Sequence, residues 1–175
     1  IEGNHYFVFP SDSTSSTQRL CRMLECKYLG GCGMIRMIIR GGHGGRTGIQ
    51  KDIFAHHGTG GGGTTASSVR NLEKAQEAFK ADIYLMGHDH KKWGDKVDQL
   101  AIGGGNFACT LKSVEKVFVR TGSYLRGYVP DNTSYITRKA WRPANLGCVE
   151  LELTMVRNRK GGNHDTHELK TKIIF

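Results

Sequence analysis

The chain has 175 residues, enough for one domain with an apolar core, and its 38% apolar and 23% charged content is that of a globular rather than a disordered sequence. No run of about 18 uncharged apolar residues occurs, which excludes a spanning helix, and the opening Ile1-Glu2-Gly3-Asn4-His5 does not have the build of a secretory signal. The formal net charge of +9 favours an acidic partner such as nucleic acid, with equal weight on a fragment whose missing part carries the balancing carboxylates.

The lack of an initiator Met sets the expectation that sequence is missing upstream. The cysteines, Cys21, Cys26, Cys32, Cys109 and Cys148, are odd in number, irregularly spaced and without a CxxC pair. Buried or half-buried free thiols and a reducing, cytoplasmic setting are expected, ahead of a soft metal site at the first three.

The polar residues 11–17 can cap a helix over residues 18–28, with Leu20, Leu24 and Tyr28 on one face and Cys21 nearby; Gly30, Gly31 and Gly33 end it. Residues 34–40 and 49–55 are strand candidates, separated by a loop around His43. A glycine-rich loop, Gly60 to Gly63, leads to Ser67 or Ser68 as the cap of a helix over residues 69–80. Val69, Leu72, Ala75, Ala78 and Phe79 form its apolar face. A buried strand follows over 81–86, giving a strand–loop–helix–strand unit of the α/β kind. Strands are then expected at 97–102, 106–111 and 114–119. Residues 147–155 alternate cleanly, with Val149, Leu151, Leu153 and Met155 on one side. A polar turn over 157–163 and a hairpin partner over 164–174 complete a single domain, residues 1–175.

Histidine gathers beside glycine in three places: Gly3-Asn4-His5, His56-His57-Gly58 and Gly87-His88-Asp89-His90. The last two follow strand candidates, and the carboxyl ends of strands are where α/β proteins bind ligands. Histidines two apart can address two neighbouring metal ions, and imidazole and carboxamide oxygen suit zinc, manganese and iron.

These segments resemble, in order, the third, fourth and fifth conserved segments of the calcineurin-like metallophosphoesterase family: Gly3-Asn4-His5-Tyr6, Phe54-Ala55-His56-His57-Gly58, and Gly87-His88-Asp89-His90. The resemblance extends over roughly residues 2–128, with Gly122-Ser123 as the glycine-serine turn often found after the last segment. It implies an α/β fold, a two-sheet sandwich flanked by helices and incomplete at the amino end. It implies two divalent metal ions (Mn, Zn, Fe or Mg) and hydrolysis of a phosphomonoester or phosphodiester. Asn4, His56 and His88 would bind the second metal and His90 the first, while His5 would face the scissile phosphate and help protonate the leaving oxygen. His57 would make an outer-shell or substrate contact, and Asp89 would point away from the ions.

Two departures from the family pattern stand out. Tyr6 replaces the usual acid after Asn-His, which touches only the surroundings of the ligands. The first two segments, which supply an Asp, a His and the bridging Asp, have no counterpart. The resemblance therefore implies an amino-terminal half acting in cis or in trans, and an inactive 175-residue chain on its own. Such a chain should expose sheet edges and be unstable, oligomeric or aggregation-prone.

Other charged and histidine residues read as surface: His43 in its glycine loop, His164, His167, Arg46, Arg126 and Lys91. Gly60 to Gly63 lack the Gly-Lys-Ser/Thr ending of a phosphate-binding loop and suit a lid over the metal site. The substrate would be a phosphorylated small molecule or nucleic acid, with no membrane involved. The alternative, from a different class, is a non-catalytic basic nucleic-acid-binding module or inactive phosphoesterase remnant, motivated by Arg36, Arg40, Arg46 and Lys51.

Overall fold

The computed structural model describes residues 1–40, 48–59, 64–104, 109–160 and 164–175, with the side chains of 158–160 and 164–166 left aside. The loop around His43, Arg46 and the Gly60 to Gly63 run lie outside the described residues.

The chain opens with a small ladder, β1 (Val8–Phe9) against β2 (Thr14–Ser15), and a helix α1 (Ser16–Met23). The main elements follow: β3 (Cys32–Arg40), β4 (Gly48–His56), α2 (Thr65–Ala78), β5 (Ile83–Met86), β6 (Lys92–Gly103) and β7 (Thr110–Ser123). A short helix α3 (Tyr135–Arg138), β8 (Gly147–Cys148), β9 (Glu150–Lys160) and β10 (His164–Ile174) complete it. The architecture is mixed α/β.

Among the described residues the main sheet runs β3-β4-β5-β7-β6, with β8 attached to the end of β7. The three central strands, β4, β5 and β7, are parallel, and the antiparallel β3 and β6 flank them. The crossover from β4 to β5 carries α2, as a parallel pair requires.

Alternation along the central strands divides the core into two faces. On one, Tyr84 and Met86 of β5 join Phe54 and Phe118 beneath Leu72 of α2. The rings of Tyr84 and Phe118 stack with centroids 4.9 Å apart. On the other, Ile83, Val117 and Val119 lie under Val149, Leu151, Leu153 and Ile173. The last four come from the β9–β10 hairpin and the residue just before it. The sheet is therefore covered by a helix on one side and a two-stranded sheet on the other.

Several local expectations are corrected. α1 stops at Met23 and not at residue 28, and Leu20 and Leu24 are exposed while Cys21 is buried. Its start is fixed by a capping box: the Gln18 N–H donates to Ser15 Oγ, and the Ser15 N–H to Gln18 Oε1. α2 is capped by Thr64 and not by Ser67 or Ser68. Ala78 and Phe79 at its end are exposed, although one face of the Phe79 ring stacks on Phe54 with centroids 4.3 Å apart. The stretch 106–111 is not a strand of its own as far as it is described: β7 begins at Thr110 and runs unbroken to Ser123. Residues 157–160, expected in a turn, continue β9 instead, and residues 161–163 lie outside the described residues. The cysteines are free, but only Cys21 is buried. Among the described residues no helix is long and apolar enough to cross a membrane.

Candidate metal centre

The register of the parallel strands assembles the site. His56, the last residue of β4, sits beside Met86, the last of β5, and Met86 sits beside Arg120 of β7. His57-Gly58 and Gly87-His88 therefore leave the sheet side by side at its carboxyl edge. Gly58 makes the close approach possible: its φ is +101°, and a Cβ there would lie 2.8 Å from the Gly87 carbonyl oxygen.

The amino-terminal segment is brought to this edge by a turn. The Glu2 N–H donates to the Gly30 carbonyl (2.8 Å), and the His57 N–H donates to the neighbouring Gly31 carbonyl (2.9 Å). The Tyr28 hydroxyl also donates to Glu2 Oε1 (2.8 Å). Gly30 and Gly31, expected only to end a helix, thus tie two of the three histidine segments together.

His57 is the meeting point. Its Nε2 lies 2.9 Å from Asn4 Oδ1 and 2.9 Å from His88 Nδ1, and a Cβ on Gly3 would strike the His57 ring at 2.8 Å. One proton shared along these contacts satisfies the cluster. Burial holds the His57 imidazole below the usual histidine range, and positive charge on His88, His56, His5 or His90 would push the same way. His90 is lowered by burial and by His88, with Asp89 opposing. Both effects favour neutral rings, the form that ligates metal. His56 turns its Nδ1 to accept the Gly58 N–H at 2.7 Å, so in that arrangement the neutral ring carries its proton on Nε2. His5 is exposed at the rim, its ring 6.2 Å from that of Tyr135.

The donor atoms that converge, one carboxamide oxygen and two imidazole nitrogens, suit a borderline divalent ion. Their 2.9 Å separations are somewhat tighter than the roughly 3.3 Å between tetrahedral ligands held at about 2.0–2.1 Å from a metal, so a small outward movement would fit one. Among the described residues no group of three His, Cys, Asp or Glu side chains is arranged to hold an ion, so the set depends on Asn4.

Beneath the histidines lies a buried ionic network. The Arg120 side chain is fully buried and donates to the Gly87 carbonyl (3.0 Å) and, through two nitrogens, to the Ser68 carbonyl. Asp89, with only 4% of its side chain exposed, lies 3.7 Å from Arg120 and accepts a hydrogen bond from the Ser68 hydroxyl. Asp89 thus turns inward, while His88 and His90 on either side adopt positive φ of 77° and 58°. Backbone of that kind costs free energy in non-glycine residues and persists only where surroundings hold it. Sequence reasoning passed over Arg120 and read Ser68 only as a possible helix cap. The available signal was an arginine closing the apolar run Val117-Phe118-Val119 in a central strand.

Comparison with family models, curated proteins and solved structures finds no match. The site therefore rests on its own geometry.

Of the remaining expected contacts, Lys91 Nζ donates to the Thr64 carbonyl (2.9 Å), Arg126 and His167 are exposed, and His164 has no described side chain.

Proposed function

We propose that the protein is a metal-dependent phosphoesterase of the calcineurin-like kind, its metal centre built on Asn4, His88 and His90 with His57, joined by His56 once its ring gives up the Gly58 N–H, and His5 as the catalytic residue at the phosphate. The observation that carries this reading is the convergence of Asn4 Oδ1, His57 Nε2 and His88 Nδ1 within hydrogen-bonding distance, from three segments far apart in sequence. Convergence of this kind at the carboxyl edge of parallel strands is typical of a ligand site.

Divalent ions held there supply Lewis-acid activation of water and offset charge on the phosphoryl oxygens. Asn4 and His88 orient their donor atoms toward one point, and His57 either joins them or holds them apart by hydrogen bonding. His5, exposed and beside the cluster, donates a proton to the leaving oxygen. The remaining ligands, including the bridging carboxylate of the family pattern, come from an amino-terminal half in cis or in trans. Two packed sheets with a helix on the outer face accord with the sandwich that this family would bring.

The test is hydrolysis of bis(p-nitrophenyl) phosphate and p-nitrophenyl phosphate by the full-length gene product in Mn²⁺ or Zn²⁺. Activity that vanishes in Asn4→Ala and His88→Ala and falls in His5→Ala supports the reading. Absence of hydrolysis with every divalent ion, or activity indifferent to these variants, overturns it.

A further inference from the structure

The segment after β7 is more unusual than a loop needs to be. Between Tyr124 and Arg142 it carries Tyr128, Tyr135 and Trp141 together with Arg126, Arg138, Lys139 and Arg142, against a single carboxylate, Asp131. All four cations are exposed, and none has an ion-pair partner recorded among the described residues. The segment is anchored chiefly by Ile136 and Ser134. Ile136 is buried, packed so closely on the likewise buried Gly127 that a Cβ there would lie 2.5 Å from it. Ser134 caps α3 through the Thr137 N–H and donates its hydroxyl to the Gly127 carbonyl.

With Ile136 turned inward, the rings face outward. Tyr135 and Trp141 are each 50% exposed and meet edge to face, 5.2 Å between centroids at 84°. The Tyr128 hydroxyl donates to the Trp141 carbonyl at 2.6 Å, and the Trp141 N–H donates to the Ile136 carbonyl at 3.1 Å, so the indole is held by its backbone at both ends. Large rings left half in water at an ordered position are available for stacking, at little further cost in ordering. The rings also lie next to the chemistry: His5 packs against Tyr135, with ring centroids 6.2 Å apart.

We infer that this aromatic and basic shelf, Tyr128, Tyr135 and Trp141 with Arg126, Arg138 and Arg142, is the binding platform for a single-stranded nucleic acid, whose bases stack on the rings while its backbone runs past His5. Stacking rings beside unpaired cations are the two elements of sequence-tolerant single-strand recognition. A small phosphomonoester would need neither, and a protein phosphate would need the cations but not the rings. The inference names a substrate class for the phosphoesterase reading and rests on it only for the role of His5; the shelf itself binds without a metal.

The experiment is fluorescence anisotropy of a labelled oligothymidylate in EDTA, where hydrolysis is suppressed, against an abasic oligomer of the same length. Failure here leaves the hydrolysis of small phosphoesters untouched, so the two readings fall separately. Oligothymidylate is expected to bind more tightly than the abasic oligomer. Trp141→Ala and Tyr135→Ala should each weaken it by about fivefold to a hundredfold, as expected for one stacked base, while Trp141→Phe retains most of it. Arg138→Gln with Arg142→Gln should weaken both oligomers and flatten the salt dependence. Both arginine positions are exposed, so the pair reports on binding even where an aromatic variant unfolds. Equal affinity for the abasic oligomer, no binding to either, or binding indifferent to Trp141→Ala in a folded variant would overturn the inference.

Discussion

Replacing Arg120 by methionine keeps an unbranched apolar stem and removes the guanidinium with its charge and donors. In the native fold the guanidinium is wholly out of water and supplies hydrogen bonds to the Gly87 and Ser68 carbonyls. It also lies 3.7 Å from Asp89, whose side chain is 4% exposed. The Arg120→Met variant would have two inward-facing carbonyls without that donor and a buried carboxylate with no cation beside it in the Arg120 position, held by the Ser68 hydroxyl and, at 3.4 Å, the Lys91 N–H. Removing one member of a buried ion pair typically costs about 3–5 kcal/mol, a large share of the roughly 5–15 kcal/mol that holds a domain together. For a chain of this size that loss lowers Tm by about 10 °C. Urea denaturation of Arg120→Met, Asp89→Asn and the double variant is the assay. The double variant should be more stable than the sum of the singles predicts, with a coupling of about 1–3 kcal/mol, because the neutral amide introduced by Asp89→Asn no longer leaves a buried charge unpaired. Arg120→Lys should recover little, since an ammonium cannot span both carbonyls as the planar fork does. A cost under about 1 kcal/mol for Arg120→Met, or strict additivity in the cycle, would refute the claim that this network holds the His88–His90 turn.

Leu72→Ala, at a side chain with no exposed surface between α2 and the sheet, should cost about 2–5 kcal/mol, read from the urea midpoint. Gly3→Ala places a methyl against the His57 ring; Mn²⁺ affinity by calorimetry should fall by about tenfold, while the thermal midpoint moves little, because the segment is largely exposed. Asp52 is lowered chiefly by its hydrogen bonds from Arg36, at 2.8 and 2.9 Å. A depressed carboxylate stabilises the fold above its unfolded-state value and loses that contribution as pH falls through the folded one. Thermal unfolding of wild type and Asp52→Asn should therefore differ at neutral pH and converge in acid below the ordinary aspartate range; a difference that persists there would contradict the assignment.

Much of the fold is legible in the sequence because periodicity and burial coincide. The alternation at Val149, Leu151 and Leu153 becomes the inner face of the second sheet, and the apolar 81–86 stretch becomes the central strand β5. Periodicity misleads at α1 because a helix of two turns at the periphery needs no apolar face; its capping box fixes it, and Leu20 and Leu24 stay in water. The three histidine segments are legible as glycine-flanked groups, the last two of them at strand ends. The parts that hold them are not. Arg120, Ser68 and Asp89 become one network only when β5, β7 and α2 meet, and no local spacing records that meeting. The central place of His57 is hidden for the same reason: which of two adjacent imidazoles turns toward Asn4 is decided by the Gly31 carbonyl holding the His57 backbone, a contact between distant segments.

The most direct test of the central claim is isothermal titration of Mn²⁺ and Zn²⁺ into this chain and its Asn4→Ala and His88→Ala variants. The account predicts saturable binding of one ion at the Asn4–His57–His88 convergence, weakened by either substitution with the fold intact. No saturable binding, or binding that both variants retain in full, would contradict it.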